Sequence, residues 1–383
     1  MKQFPVVVTS IIFFCAVLTV DAVFAAPNKK TVDTPRVQVA ILLDVSGSMD
    51  GLIEQAKSQL WGMMQTLSKA TTQGQKPIVE IALYEYGRPS NGSNNHYIKK
   101  IMPFTTDLDV LSAKLFELKT SGGDEYCGAV LVQSLNELQW GGGQDDYKVI
   151  FIAGNESFRQ GPIPFAQACL LAKQKGVVIN TVYCGDSLIG IKEYWNQNGE
   201  CGNGTYAVID HNDKEDDKPA PQDSLIYVLN EKLNTSYVTY NTAGFGRAQL
   251  QRQMDAANSA VAKKAGIQRA AVKANKQAYR NSGWDLVDAY EEDSTVIDKV
   301  DSAYLPDTLK NKSKAAIKKY VLQKAADRAA IQQQLNELLK QRAAYLAAEK
   351  LKASGSTNPR DLDNAIQSIL RKQAEQRKFS FVE

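Results

Sequence analysis

Residues 37–50, VQVAILLDVSGSMD, constrain this chain more than any other stretch. Val37, Val39, Ala40, Ile41, Leu42 and Leu43 form an apolar run short enough to be a strand buried on both faces. The run stops at Asp44, and Ser46 and Ser48 follow at alternate positions. One carboxylate and two hydroxyls within a turn, at the end of a buried strand, are a set of hard oxygen donors. Such a set suits Mg²⁺, Mn²⁺ or Ca²⁺ rather than zinc. The plainer reading is a strand end followed by a helix cap, because Ser and Asp are favoured caps.

Asp44-Val45-Ser46-Gly47-Ser48-Met49, after an apolar strand and before an amphipathic helix, resembles the metal-ion-dependent adhesion site of von Willebrand factor type A (VWA) domains. The resemblance implies an α/β fold, a Rossmann-like doubly wound sheet with helices on both faces. It also implies Mg²⁺ at the carboxyl ends of the strands, the edge where open α/β sheets hold ligands. It covers roughly residues 37–240 and leaves the C-terminal third outside.

At 383 residues the chain exceeds one typical domain. Four segments are expected: a signal peptide at 1–25, a polar leader at 26–36, the VWA domain at 37–240 and an α-helical region at 245–383. Lys2 supplies the positive start, residues 6–20 the apolar core, and Val23-Phe24-Ala25 before Ala26 a small-residue cleavage site. The apolar part is short for a spanning helix and Asp21 follows it; an uncleaved anchor is the alternative. No later stretch is apolar enough to span, so the expected product is exported, periplasmic or extracellular, with no stable membrane span after cleavage.

Beyond Cys15, the cysteines are Cys127, Cys169, Cys184 and Cys201, an even number that permits disulfides in an exported chain. Cys184 with Cys201 is the favoured pair, because both lie in the region between two predicted strands. Cys127 and Cys169 then form a second bridge or stay as buried thiols. Charge divides the chain: from Phe245 onward there are 25 basic and 16 acidic residues, about +9 against about −6 before it. Two surfaces with different partners would give such a split, and so would a helical tail rich in Lys and Arg.

In chain order, the spacing predicts a helix from Leu52, a strand at 78–86, an edge strand at 96–104 and a helix at 107–118. A helix at 129–138, a strand at 148–153, a helix at 165–175, a strand at 177–183 and a last strand at 206–209 follow. The charged run at 210–218 reads as a solvated loop, since it lacks EF-hand spacing. A closing helix is expected at 224–233. Residues 247–279 are helix-forming, residues 311–352 read as one long helix, and a final helix covers 360–377 after a linker at 354–359. The seam of the long helix is too interrupted, by Lys324 and Arg328, for a regular coiled coil.

Two further loops bear on the resemblance. Many VWA domains carry Gly-Gly-Ser-Thr in the loop before the third helix, and the threonine reaches the metal. Aligning Gly122-Gly123 puts Glu125 at the threonine position, with Asp124 as its neighbour and alternative. A carboxylate there would neutralise more of the ion's charge and make it less electrophilic. The plainer reading of Glu125 is a first-turn glutamate favoured by the helix dipole. In the family the strand at 148–153 usually ends in Thr-Asp-Gly; here Ala153 and Gly154 stand at the Thr and Asp positions. Asn155 or Glu156 could supply the missing oxygen, or water could, as Mg²⁺ allows.

The 2 histidines, His96 and His211, stand far in sequence from Ser46 and Ser48. That removes most Ser-His-Asp, Cys-His and His-zinc schemes. No nucleophile elbow, phosphate loop or dinucleotide fingerprint occurs, and the modest basic excess argues against nucleic acid. The expected function is therefore non-catalytic: a metal-ion-dependent protein-binding module that takes a partner's acidic side chain through the cation. The alternative is an envelope scaffold with a degenerate metal site, whose helical tail carries assembly. Oligomeric state is left open by the sequence.

Overall fold

The computed structural model describes Met1 and residues 34–209, 218–352 and 362–381. The expected signal peptide, most of the leader, residues 210–217 of the charged run and the linker at 354–359 lie outside the described residues. The strands are β1 (Arg36–Asp44), β2 (Ala70–Thr71), β3 (Ile78–Tyr86), β4 (Lys99–Thr105), β5 (Tyr147–Gly154), β6 (Val178–Cys184), β7 (Tyr206–Ile209) and β8 (Ser380–Phe381). The helices of the first half are α1 (Asp50–Leu67), α2 (Leu108–Glu117), α3 (Cys127–Glu137), α4 (Phe165–Lys175), α5 (Ser187–Lys192), α6 (Trp195–Cys201) and α7 (Asp223–Asn234). Those of the second half are α8 (Gly244–Val261), α9 (Lys263–Ala274), α10 (Leu286–Glu292), α11 (Val296–Lys299), α12 (Lys314–Lys352) and α13 (Leu362–Gln376).

Six strands make one sheet in the order β4-β3-β1-β5-β6-β7, parallel except for the edge strand β4. The α/β expectation holds. β1 and β5 are neighbours although two strands of this sheet, β3 and β4, separate them in sequence, so the winding reverses between them. That reversal is where a doubly wound sheet opens a crevice at its carboxyl edge. Register aligns the strand ends: Asp44 pairs with Tyr86, Leu43 with Ala153, and Gly154 with Tyr183.

Strand alternation divides the core into two layers. Val37, Val39, Ile41 and Leu43 face a layer shared with Leu52, Leu60 and Met63 of α1. Ala40 and Leu42 face the other, shared with Val130 and Leu131 of α3 and with Ala168 and Ala172 of α4. The tail returns to the first layer: Val272, Tyr279, Ile366, Leu370, Ala374 and Phe379 sit in that same cluster. Its last strand, β8, pairs antiparallel with β2. The helical region is thus packed against the sheet's α1 side.

Strand parity corrects the disulfide expectation. The bridge joins Cys169 to Cys201, and Cys184 is a buried free thiol, as is Cys127. Cys184 points into the α1 layer with Val182, whereas α4 and the start of α6 pack in the opposite layer. Closeness in sequence brought Cys184 and Cys201 together on paper, but the sheet lies between them. A second difference is the break of the helix-forming stretch 247–279 at Ala262, an extended residue with φ −153°. No proline or glycine stands there. Gly266 lets α9 approach α8, since a Cβ on it would lie 2.3 Å from Ser259 Oγ.

The tail buries several charges. Arg269 reaches Asp109 Oδ1 of α2 at 2.8 Å and Asp255 Oδ1 of α8 at 2.5 Å. Lys273 donates to Asp255 Oδ2 at 2.7 Å and Asn234 Oδ1 at 2.6 Å. Arg328 of α12 meets Asp285 and Asp288 at 2.8 and 2.7 Å. Trp61 is core, its Nε1 donating to Asn258 Oδ1 at 2.8 Å.

Candidate metal centre

Four chain segments meet at the carboxyl edge over β1. The first is the turn after β1. Asp44 is fully buried, and its Oδ1 accepts the Ser46 N–H at 2.7 Å, an Asx-type bond that turns the chain out of the strand. Ser46 Oγ and Ser48 Oγ lie 3.4 Å apart, one buried and one exposed. Met49 N–H then bonds Ser46 C=O at 3.1 Å and α1 begins.

The second segment is the loop before α3. Ser121 N–H donates to Val45 C=O at 2.8 Å, tying it to the first turn. The Thr120 hydroxyl donates to Asp50 at the start of α1. Glu125 is 5% exposed, and its N–H donates to Gln160 Oε1 at 3.1 Å. Asp124 stands exposed beside it. Of the two carboxylates in this loop, Glu125 is the one turned inward.

The third segment, Gly87 after β3, carries no donor side chain. Its φ is +88°, and a Cβ there would lie 3.0 Å from Glu125 Cγ and 3.1 Å from Asp44 Oδ1. Two carboxyl groups therefore flank one small space that only a glycine leaves open. The sequence reading passed over Gly87. It left no local signal: Gly87 joins the centre only because β3 pairs parallel beside β1, which puts the first residue past its end next to Asp44.

The fourth segment is the end of β5, where Gly154 stands at the position for which the resemblance implies an aspartate. Gly154 is fixed by packing: a Cβ on it would lie 2.5 Å from Tyr86 Oη and 3.0 Å from Asp44 Oδ2. Tyr86 Oη occupies that space, donating to Ala153 C=O at 2.9 Å and accepting from Cys127 Sγ at 3.8 Å. Asn155, the next residue, donates through Nδ2 to Ser48 Oγ at 3.2 Å. Glu156 is exposed, and its charge is felt by both Asp44 and Glu125.

The electrostatics are those of crowded anions. Burial, then the Glu156 charge, pushes the Asp44 carboxyl up to about 6 against the lowering hydrogen bonds from Ser46 and Asn155. Burial, then the charges of Asp44 and Glu156, pushes Glu125 up to about 8. Two buried oxygens, Asp44 Oδ2 and Asn155 Oδ1, have no hydrogen-bond partner. Among the described residues no three Asp, Glu, His or Cys side chains stand together as a metal group. A cation here would need the hydroxyl and amide oxygens as well as the two inward carboxylates. That mixed oxygen set, with its orphaned atoms, fits a hard divalent ion.

His96, read as remote, lies on the rim of this edge with its ring 6.2 Å from that of Tyr126, the residue after Glu125. His211 is outside the described residues.

No family model and no curated protein sequence matches the chain. Solved structures do. Proximal thread matrix protein 1 from the mussel byssus, with a zinc-occupied MIDAS motif, matches at 12% identity and TM-score 0.33, over 46% of this chain and 42% of that one. The pilus adhesin SpaC from Lactobacillus rhamnosus GG matches at 13% and 0.35, over 46% and 28%. The SpRpn10 VWA domain matches at 11% and 0.34, over 47% of this chain and 90% of that one. The chain thus spans less than half of the mussel protein and of the adhesin. With its strand order, its antiparallel edge strand and the Asp44 turn at the winding reversal, the sheet and its helices form a doubly wound α/β domain with the layout that the VWA resemblance implies, followed by a helical region.

Proposed function

We propose that this chain is an exported, metal-ion-dependent protein-binding module that takes an acidic side chain of a partner protein through a divalent cation, Mg²⁺ in the first instance. The supporting observation is the pair of orphaned buried oxygens, Asp44 Oδ2 and Asn155 Oδ1, beside two hydroxyls and the inward Glu125. Leaving buried polar atoms unpaired is costly, and a ligand that pairs them recovers that cost.

Asp44, Ser46 and Ser48 would anchor the ion, Glu125 would serve as the second carboxylate, and Asn155 as the oxygen from the β5 side. Which of the two Asn155 amide atoms faces Ser48 is a matter of a simple flip. Asp124 and Glu156, both exposed, would act on the ion by charge from the rim. When bound, the ion supplies a positive centre with an exchangeable position for a carboxylate. Export is supported by the N-terminal segment and the Cys169–Cys201 bridge. Among the described residues no helix is long and apolar enough to cross a membrane.

Calorimetry and thermal shift with Mg²⁺ and Mn²⁺, on wild type and Asp44→Ala, test the reading. Heat and stabilisation in the wild type alone support it; equal responses in both proteins remove it. A non-catalytic scaffold is the second reading, favoured by the sealed position at Gly154. On that reading, partner capture is indifferent to chelator.

A further inference from the structure

Helix α5 leaves β6 at the same carboxyl edge, and it is built in an unusual way. Leu188, Ile189 and Ile191 are 68, 49 and 44% exposed, three large aliphatics within four residues. The one buried residue of the helix is Gly190, which lies flat on two tyrosines: a Cβ would sit 2.2 Å from Tyr206 Oη and 2.7 Å from Tyr183 Cδ1. Asp186 caps the helix by accepting the N–H groups of Leu188 and Ile189 at 2.9 and 3.1 Å. Tyr206 Oη donates to Ser187 C=O at 3.1 Å. The aliphatic face is therefore held outward by bonds to its own backbone.

The turn after this helix and the start of α6 are bonded to the candidate metal loop. Trp195 Nε1 donates to Glu156 C=O at 2.8 Å, and Phe158 N–H donates to Glu193 C=O at 3.1 Å. Between the two features stands an exposed cation, Arg159, whose guanidinium lies 4.2 Å from the centre of the Tyr194 ring. A contiguous exposed apolar cluster marks a contact surface more often than scattered leucines do.

We infer that α5 is the apolar half of the docking surface whose polar half is the Asp44 centre, and that the partner is a peptide segment with a carboxylate followed at short range by an aliphatic side chain. The inference rests on the metal-dependent reading above. Charge complementarity selects the occupant: Arg159, and the cation of the reading above, favour one carboxylate, while the exposed Asp124 and Glu156 disfavour a run of them. Continuity along one sheet edge lets one segment reach both halves, and the preformed helix pays little ordering entropy on binding.

The test uses Gly/Ser peptides of fixed length carrying one aspartate alone, or one aspartate with one leucine a few positions away. Affinities are measured in Mg²⁺ and in chelator for wild type, a Leu188→Ser/Ile191→Ser double variant and Asp44→Ala. In wild type with Mg²⁺, adding the leucine tightens binding by roughly tenfold or more. The double variant is expected to lose that gain and keep the weaker aspartate binding, and Asp44→Ala to lose both. No leucine gain in wild type, a gain that survives in the double variant, or Mg²⁺ uptake without peptide binding overturns the role of α5 and leaves the metal centre standing. Peptide binding indifferent to chelator and to Asp44→Ala overturns the metal reading instead, and with it this inference.

Discussion

The molecule buries carboxylates in two places and treats them oppositely. In the helical region, Asp255 faces Lys273 and Arg269 and accepts from Asn230 and Asn234, and these partners hold its carboxyl well below the usual range. At the carboxyl edge of the sheet, Asp44 and Glu125 are also buried, yet the charges that act on them are carboxylates, Glu156 on Asp44 and Asp44, Glu156 and Asp124 on Glu125, and both are pushed up, chiefly by burial. Burial alone raises a carboxyl in both places, so the difference lies in whether the chain brings its own cations. Where it does, the buried charge is architecture. Where it does not, the charge is kept for something that arrives. Between these cases stands Asp288, which shares Arg328 with Asp285 and is raised to about 6, chiefly by burial.

The contrast can be attacked from its strong side first. Arg269→Met strips Asp109 and Asp255 of a shared guanidinium, and removing one partner of a buried pair costs about 3–5 kcal/mol. Urea unfolding measures it; a loss under 1 kcal/mol would dissolve the architectural half of the comparison.

Gly154→Asp comes next. It places an aspartate where the sequence resemblance implies one, but the new side chain meets Tyr86 Oη and Asp44. Destabilisation of about 1–3 kcal/mol is expected, with no gain in Mg²⁺ affinity. A variant that is stable and binds Mg²⁺ more tightly contradicts the packing account.

Glu125→Gln sharpens the other half. In chelator near pH 8 it removes a buried charge that has no cation, so it stabilises the protein by about 1 kcal/mol. The same change abolishes most of the Mg²⁺-induced thermal shift. Destabilisation in chelator would mean that Glu125 has a structural partner after all.

The smallest effect is a pH profile. Asp44 and Glu125 hold their protons more tightly in the fold than in the unfolded chain, with values raised to about 6 and about 8. Their contribution to metal-free stability is therefore present at low pH and lost as pH rises through about 6 and then about 8. A cation competes for the same oxygens, so the thermal shift at fixed Mg²⁺ grows across that window. Differential scanning fluorimetry reads it, and a flat or falling shift breaks the link between the raised carboxyls and the ion.

Much of the sheet was legible because strands buried on both faces carry long apolar stretches: residues 39–43 of β1 and 149–153 of β5 are unbroken, while Glu80 and Glu85 interrupt β3 and Asn180 and Thr181 interrupt β6. The Asp44 turn was legible because its donors are adjacent in sequence. Gly87 and Tyr86 were not, since their part in the centre exists only once β3 lies beside β1. Cys169–Cys201 was hidden by a sheet that spacing cannot see. In the tail, Arg269 and Lys273 read only as helix formers, and Arg328 as an interruption of the long helix's apolar seam. Their partners Asp109, Asp255 and Asp285 come from other helices and turns, so their burial left no local trace.

Crystals grown in saturating Mn²⁺ and recorded at the manganese absorption edge test the central claim most directly. The account predicts an anomalous peak at the carboxyl edge, bonded to oxygens of Asp44, of Ser46 or Ser48, and of Glu125. Contradiction would be a map with no peak among those side chains, and with Asp44 Oδ2 and Asn155 Oδ1 satisfied by the protein itself.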